Sequence, residues 1–209
     1  MNLSEISQRL TEANARRRAA LKQYESRRTM TVNYDGPLSQ GEASETVQMT
    51  FTAPATKQFT VLSATGLKLI RDNVFQRALD AEQTASTERA QQASALNTDN
   101  YNLQLMGVEQ LPTGRCYVLD VVPKVPGEFT YVGRVWVQAI DFAVVRIQGR
   151  PAINPSQFVS DGEFTTDFQK VGGFYFPQQT VSTSQLPLGM RARLTIQYGP
   201  YRIVSALGL

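Results

Sequence analysis

The chain has no histidine and a single cysteine, Cys116. Histidine supplies most general bases near neutral pH and is the commonest transition-metal ligand. Its absence excludes histidine-based zinc sites and the Ser-His-Asp and Cys-His arrangements within one chain. A lone cysteine forms no internal disulfide, so thiol pairing says nothing of compartment. Cys116 lies in the strand-like stretch Arg115-Cys116-Tyr117-Val118-Leu119 and reads as a small buried apolar residue. Long apolar runs are missing too: no segment approaches the roughly 18 residues that a transmembrane helix needs. The sequence also lacks the Gly-x-Gly-x-x-Gly and Gly-x-x-x-x-Gly-Lys phosphate loops and the Gly-x-Ser-x-Gly elbow. Charged residues are 19% of the chain, hydrophobic ones 42%, and the net charge is only +3. That is a globular composition and too mild a charge to argue for nucleic acid. No cofactor, metal or nucleic-acid partner is expected.

What is present is alternation. At 209 residues the chain fits one domain spanning 1–209 with a sizeable core. Residues 1–27 read as an N-terminal amphipathic helix, with Leu3, Ile6, Leu10, Ala13, Leu21 and Tyr24 at helical spacing and a start near Ser4. Residues 69–95 read as a second helix, with Leu69, Ile70, Val74, Phe75, Leu79 and Ala81 as its stripe. Between and after them, period-two segments separated by turns make about ten strands. They begin at Thr29–Tyr34, and Pro200 is expected to split the last one. Pro177 points to an edge or a bulge in its strand. Short links make the sheet mostly antiparallel, and two helices are too few for alternating βαβ units. The expected fold is therefore mainly β (α+β): a curved antiparallel half-barrel of about ten strands covered by two helices.

A curved sheet with a greasy inner face either fills its interior or leaves a ligand cavity. The inner-face candidates are Met49, Phe51, Phe59, Val61, Leu103, Leu105, Tyr117, Leu119, Val135, Val137, Val145 and Ile147. Each fits a dry core as well as a cavity wall. The basic residues Arg16, Arg17, Arg18, Lys22, Arg27 and Arg28 sit beside Glu5, Glu12 and Glu25 and read as a solvated helix face. The alternative is a patch for phosphate or lipid headgroups. Asp120, Asp141, Asp161, Glu163 and Asp167 fall in turns or on polar strand faces and read as solvated, so an enzyme built on carboxylates or Tyr is the minor reading. A membrane barrel is disfavoured, because the two amphipathic helices need an apolar surface to dock on.

One progression is more distinctive than composition. Asn100-Tyr101-Asn102-Leu103 leads to Cys116-Tyr117-Val118-Leu119-Asp120-Val121-Val122-Pro123-Lys124. Tyr131-Val132-Gly133-Arg134-Val135-Trp136-Val137 follows, then Phe142-Ala143-Val144-Val145-Arg146-Ile147, and later Gln169-Lys170-Val171-Gly172-Gly173-Phe174-Tyr175-Phe176-Pro177. This order resembles the outer-membrane lipoprotein-sorting proteins, the LolA/LolB-like superfamily, over about Tyr24–Val204. Gln138 stands where an aspartate is common in that family. The resemblance implies a half-barrel lidded by helices, with a hydrophobic cavity for acyl chains and no catalytic residues. It also implies a periplasmic location after removal of an export signal, although the sequence pattern by itself also allows a cytoplasmic chain. The expected partners are a lipid or an acylated protein. The other reading is an envelope interaction module with a closed core, meeting a protein through its sheet edges or basic helix.

Overall fold

Period-two alternation builds strands, and here it builds a single ten-stranded sheet in a computed structural model that describes residues 1–37, 39–154 and 160–208. The strands are β1 (Leu21–Asp35), β2 (Gln40–Thr52), β3 (Thr56–Thr65), β4 (Tyr101–Leu111), β5 (Gly114–Pro123), β6 (Tyr131–Gln138), β7 (Val144–Pro151), β8 (Ser160–Val171), β9 (Phe174–Leu186) and β10 (Met190–Ala206). Their order is β3-β2-β1-β10-β9-β8-β7-β6-β5-β4, with every neighbouring pair antiparallel. All pairings but one join consecutive strands. The exception, β1 with β10, joins the first and last strands as the third and fourth of the sheet. The sheet is open, and β3 and β4 are its edges.

Three helical segments accompany it, one more than the pattern suggested. Helix α1 (Leu3–Ala20) starts at Asn2 rather than Ser4: the Asn2 side chain accepts from Glu5 N–H, and the Glu5 side chain accepts from Asn2 N–H. Such a cap contributes about 1 kcal/mol. The helix stops at Ala20, not near Arg27. Leu21–Arg28 is already strand, held on both sides by β2 and β10. Leu21 and Tyr24 fit a helical period, and Ser26 and Arg28 hide the strand alternation that runs Tyr24, Ser26, Arg28, Met30, Val32. The expected second helix is two. Helix α2 (68–85) contains a π turn at Arg71–Phe75, and α3 (Glu88–Ser94) restarts after Ser86, with the Thr87 hydroxyl accepting from Ala90 N–H. The 66–100 crossover joins edge strand β3 to edge strand β4. No described helix is long and apolar enough to cross a membrane.

Prolines behave as their missing N–H dictates. The β8–β9 register slips between Asp167 and Phe168, and Phe168 lies opposite Pro177, the bulge the sequence pointed to. Pro200 does not divide the last strand, which runs unbroken from Met190 to Ala206 with its register irregularity opposite Ser26–Arg28. Gly133 and Gly149 face each other across β6 and β7. A Cβ at either would run into the partner strand's carbonyl oxygen, Gln148 or Val132, so these strands approach as they do because both positions are glycine.

Candidate ligand-binding cleft

The pairing register traces one row of residues across the inner face: Leu105, Leu119, Val135, Ile147, Thr166, Thr180, Ile196, Met30. The row is aliphatic on β4–β7, polar on β8 and β9, and apolar again on β10 and β1. Thr166 and Thr180 contact each other through their hydroxyls at 2.9 Å. The two apolar stretches are covered. Ile6, Leu10 and Ala13 of α1 pack on Tyr101, Leu119, Val121, Val135 and Val137. Phe75 and Leu79 of α2 pack on Met30, Val32, Ala43 and Val47. A third cluster joins Ala20, Tyr24 and Met49 to Phe174 and Phe176.

Between the covered stretches lies a cleft of about 930 Å³. Its floor is Val32, Ser182, Ser184, Ala192 and Leu194, and its far wall holds Phe129 and Ile153. Helix α2 supplies the near wall with two rows one step apart: Val74, Ala78 and Ala81 are apolar, and Asn73, Arg77, Asp80 and Thr84 form a polar rim. A second space of about 430 Å³ adjoins α1 and the Ser94–Leu96 segment, lined by aromatics that include Phe129, Tyr131, Phe168, Phe174 and Phe176. Phe129 lines both. A further space of about 990 Å³ lies at the ends of β1, β2, β9 and β10, but its walls are amide, hydroxyl and charged groups such as Asn33, Gln40, Glu42, Gln185 and Arg191.

The residues chosen from alternation fall mostly beneath the helices. Leu119, Val135 and Val137 are 0% exposed in the α1 cluster, with Leu103, Leu105, Tyr117 and Ile147 packed against them. Met49 is buried in the third cluster beside Phe51, and Phe59 bridges that cluster and the one beneath α2. Val61 is 52% exposed on edge strand β3. Val145 is buried with Cys116, Val118 and Trp136 in a separate cluster. Of these residues, Ile147 lines the aromatic space. The open seam is marked instead by hydroxyl and small side chains at inner-face positions, such as Ser182, Ser184 and Ala192, where nothing large reaches up to fill the volume.

Two cations of the basic N-terminal segment, Arg17 and Arg28, are turned inward rather than solvated. Arg28 is 2% exposed. Its guanidinium donates to both carboxylate oxygens of Glu82 on α2, and lies over the rings of Phe59 and Tyr198 at 5.2 and 5.0 Å. Lys57 donates to the same carboxylate at 2.7 Å. Burial disfavours the Glu82 charge, yet the two cations overcome that and hold its pKa at about 2. Arg17 donates to the backbone oxygens of Asp141 and Phe142 and lies 5.1 Å over the Tyr175 ring. Asp141 in turn accepts from the Tyr175 hydroxyl and Lys170, which keep its carboxyl below the usual range.

Two of the other carboxylates pair across the sheet: Asp120 accepts from Arg134 at 2.9 Å and Asp167 from Arg146 at 2.6 Å, while Glu163 borders the space at the ends of β1, β2, β9 and β10. The Asp161 side chain lies outside the described residues. Among the described residues no three His, Cys, Asp or Glu side chains gather as a metal site. Cys116 is buried, and burial pushes its thiol up. The arrangement offers an apolar cleft with a polar rim.

No family model matches the chain, and no curated relative matches it. Its fold is similar to that of a solved outer membrane lipoprotein-sorting protein domain. A domain from Vibrio parahaemolyticus described as an outer membrane lipoprotein-sorting protein superposes with a TM-score of 0.51 at 11% identity, over 99% of this chain and 95% of that one. A DUF1329 family protein from Desulfovibrio piger is similar at 0.49 and 14% identity, over 99% and 94% of the two chains. A LolA superfamily protein from Nitrosomonas europaea is similar at 0.41 and 12%, over 97% and 94%.

Proposed function

We propose that the chain is a non-catalytic periplasmic carrier or binding protein that takes the acyl chain of a lipid or lipoprotein into the cleft walled by α2. The observation that carries this reading is the cleft of about 930 Å³ over β9, β10 and β1, apolar along its walls and joined through Phe129 to a second, aromatic space. A volume of that order suits a small amphiphile. The covered clusters around Leu119 and Met30 act as rigid walls, and residues such as Ile147 border the ligand. The fold shared with a lipoprotein-sorting domain agrees with the reading. Organic extraction of the purified protein, followed by mass spectrometry, tests it together with uptake of a fluorescent fatty acid. Co-purified lipid or saturable uptake is expected; neither appearing would refute the reading.

The sheet edges favour a second reading, an interaction module of the envelope. Strand β4 is eleven residues long, pairs on one side only, carries Met106 and Val108 exposed, and has one register slip at Gly107. Met106→Lys with Val108→Lys would block strand addition by a partner protein while leaving acyl uptake intact. Loss of partner capture in that variant, in a chain that takes up no lipid, would favour this reading.

A further inference from the structure

We infer that the ligand carries an anionic headgroup, a carboxylate or a phosphate, and that Arg18 at the α1 end of the aromatic space receives it. The inference rests on the acyl-binding reading above and names the ligand class. The aromatic space has an apolar interior and one charged side. Its residues from Phe129 to Phe176 are apolar or aromatic, while α1 contributes Asn14, Arg17 and Arg18. No carboxylate lines it. Arg17 is committed to the Asp141 and Phe142 carbonyls. Arg18, one residue on, is exposed and enters no ion pair among the described residues.

The local balance of charge is positive. Asp141, beside Arg17, is already held by Lys170 and the Tyr175 hydroxyl. Its charge is therefore matched without Arg18. The negative end of α1 is also muted, because the Ala20 carbonyl accepts from Leu207 N–H. A headgroup anion placed here meets a free guanidinium fork, which suits carboxylate and phosphate alike. Its chain then runs along the aromatic wall past Phe129 into the larger cleft. A neutral or cationic headgroup has no such partner on this side.

Chain-matched ligands separate headgroup from tail. Palmitate, monohexadecyl phosphate and hexadecanol each displace the neutral probe N-phenyl-1-naphthylamine from the intact protein. The two anions are expected to bind about tenfold more tightly than hexadecanol, and Arg18→Gln and Arg18→Glu to erase that preference without changing hexadecanol binding. Stronger displacement by palmitate than by the phosphate assigns a free acid, and the reverse a phospholipid. Equal displacement by all three, or equal loss of all three in the Arg18 variants, overturns the inference while the acyl-binding reading stands. Failure of the probe to enter the protein at all overturns both.

Discussion

Two stretches of one inner face differ in what the chain does with them. On β4–β7 the face is aliphatic and α1 lies down on it, so Leu119, Val135 and Val137 are sealed. On β8 and β9 the same row becomes Thr166 and Thr180, half-buried, with Ser182 and Ser184 in the cleft floor. An apolar stripe draws a helix because burial of its area is favourable. A hydroxyl stripe draws none and leaves room. The lesson is that the greasiest positions of a curved sheet mark where it is closed, and the more modest ones mark where it can hold something.

The comparison breaks most sharply at the α2 wall. Glu82→Ala leaves Arg28 and Lys57 facing each other without their shared carboxylate, and a loss of about 3–5 kcal/mol in urea unfolding is expected. The same cluster sets an acid limit. The folded-state pKa of Glu82, about 2, lies below its ordinary 4.5, so its contribution is fully present above pH 4.5 and disappears as pH falls toward 2. Urea midpoints measured through that window should fall in the native chain and flatten in Glu82→Gln; parallel curves would remove the cluster from the account.

Next in size is the closed stretch itself. Leu119→Ala, at a fully sealed site, should cost about 2–5 kcal/mol by the same measurement. The smallest effect belongs to the seam. Ser182→Ala, at a half-buried position in the cleft floor, should change stability by less than about 1 kcal/mol while tightening fatty-acid uptake, because it removes a hydroxyl from the floor. A Ser182→Ala cost matching that of Leu119→Ala would mean that the seam is as packed as the rest.

Much of this architecture is legible in the sequence. Strands such as Cys116–Val121 and Thr46–Thr52 alternate cleanly, and antiparallel order follows from their short links. The family progression through Tyr131–Ile147 points to the same half-barrel. What hid were residues whose chemistry opposes their position. Arg28 sits at a core position of β1, and its charge made Leu21–Arg28 look like the continuation of a helix; only Glu82, far away in sequence, makes the burial tolerable. The cleft hid for a related reason. Phe129, Ile153 and Leu194 come from separate segments, and no local pattern tells that a helix lies over Val135 but not over Thr180.

The most direct test of the open seam is photoaffinity labelling with a palmitate bearing a diazirine in its chain, the modified residues being read by mass spectrometry. Labels are expected on Phe129, Ile153, Ser182, Ser184 and Leu194 and on the facing row Val74, Ala78 and Ala81. Labels confined to the edge residues Val61, Met106 and Val108, or no saturable labelling, would contradict the account.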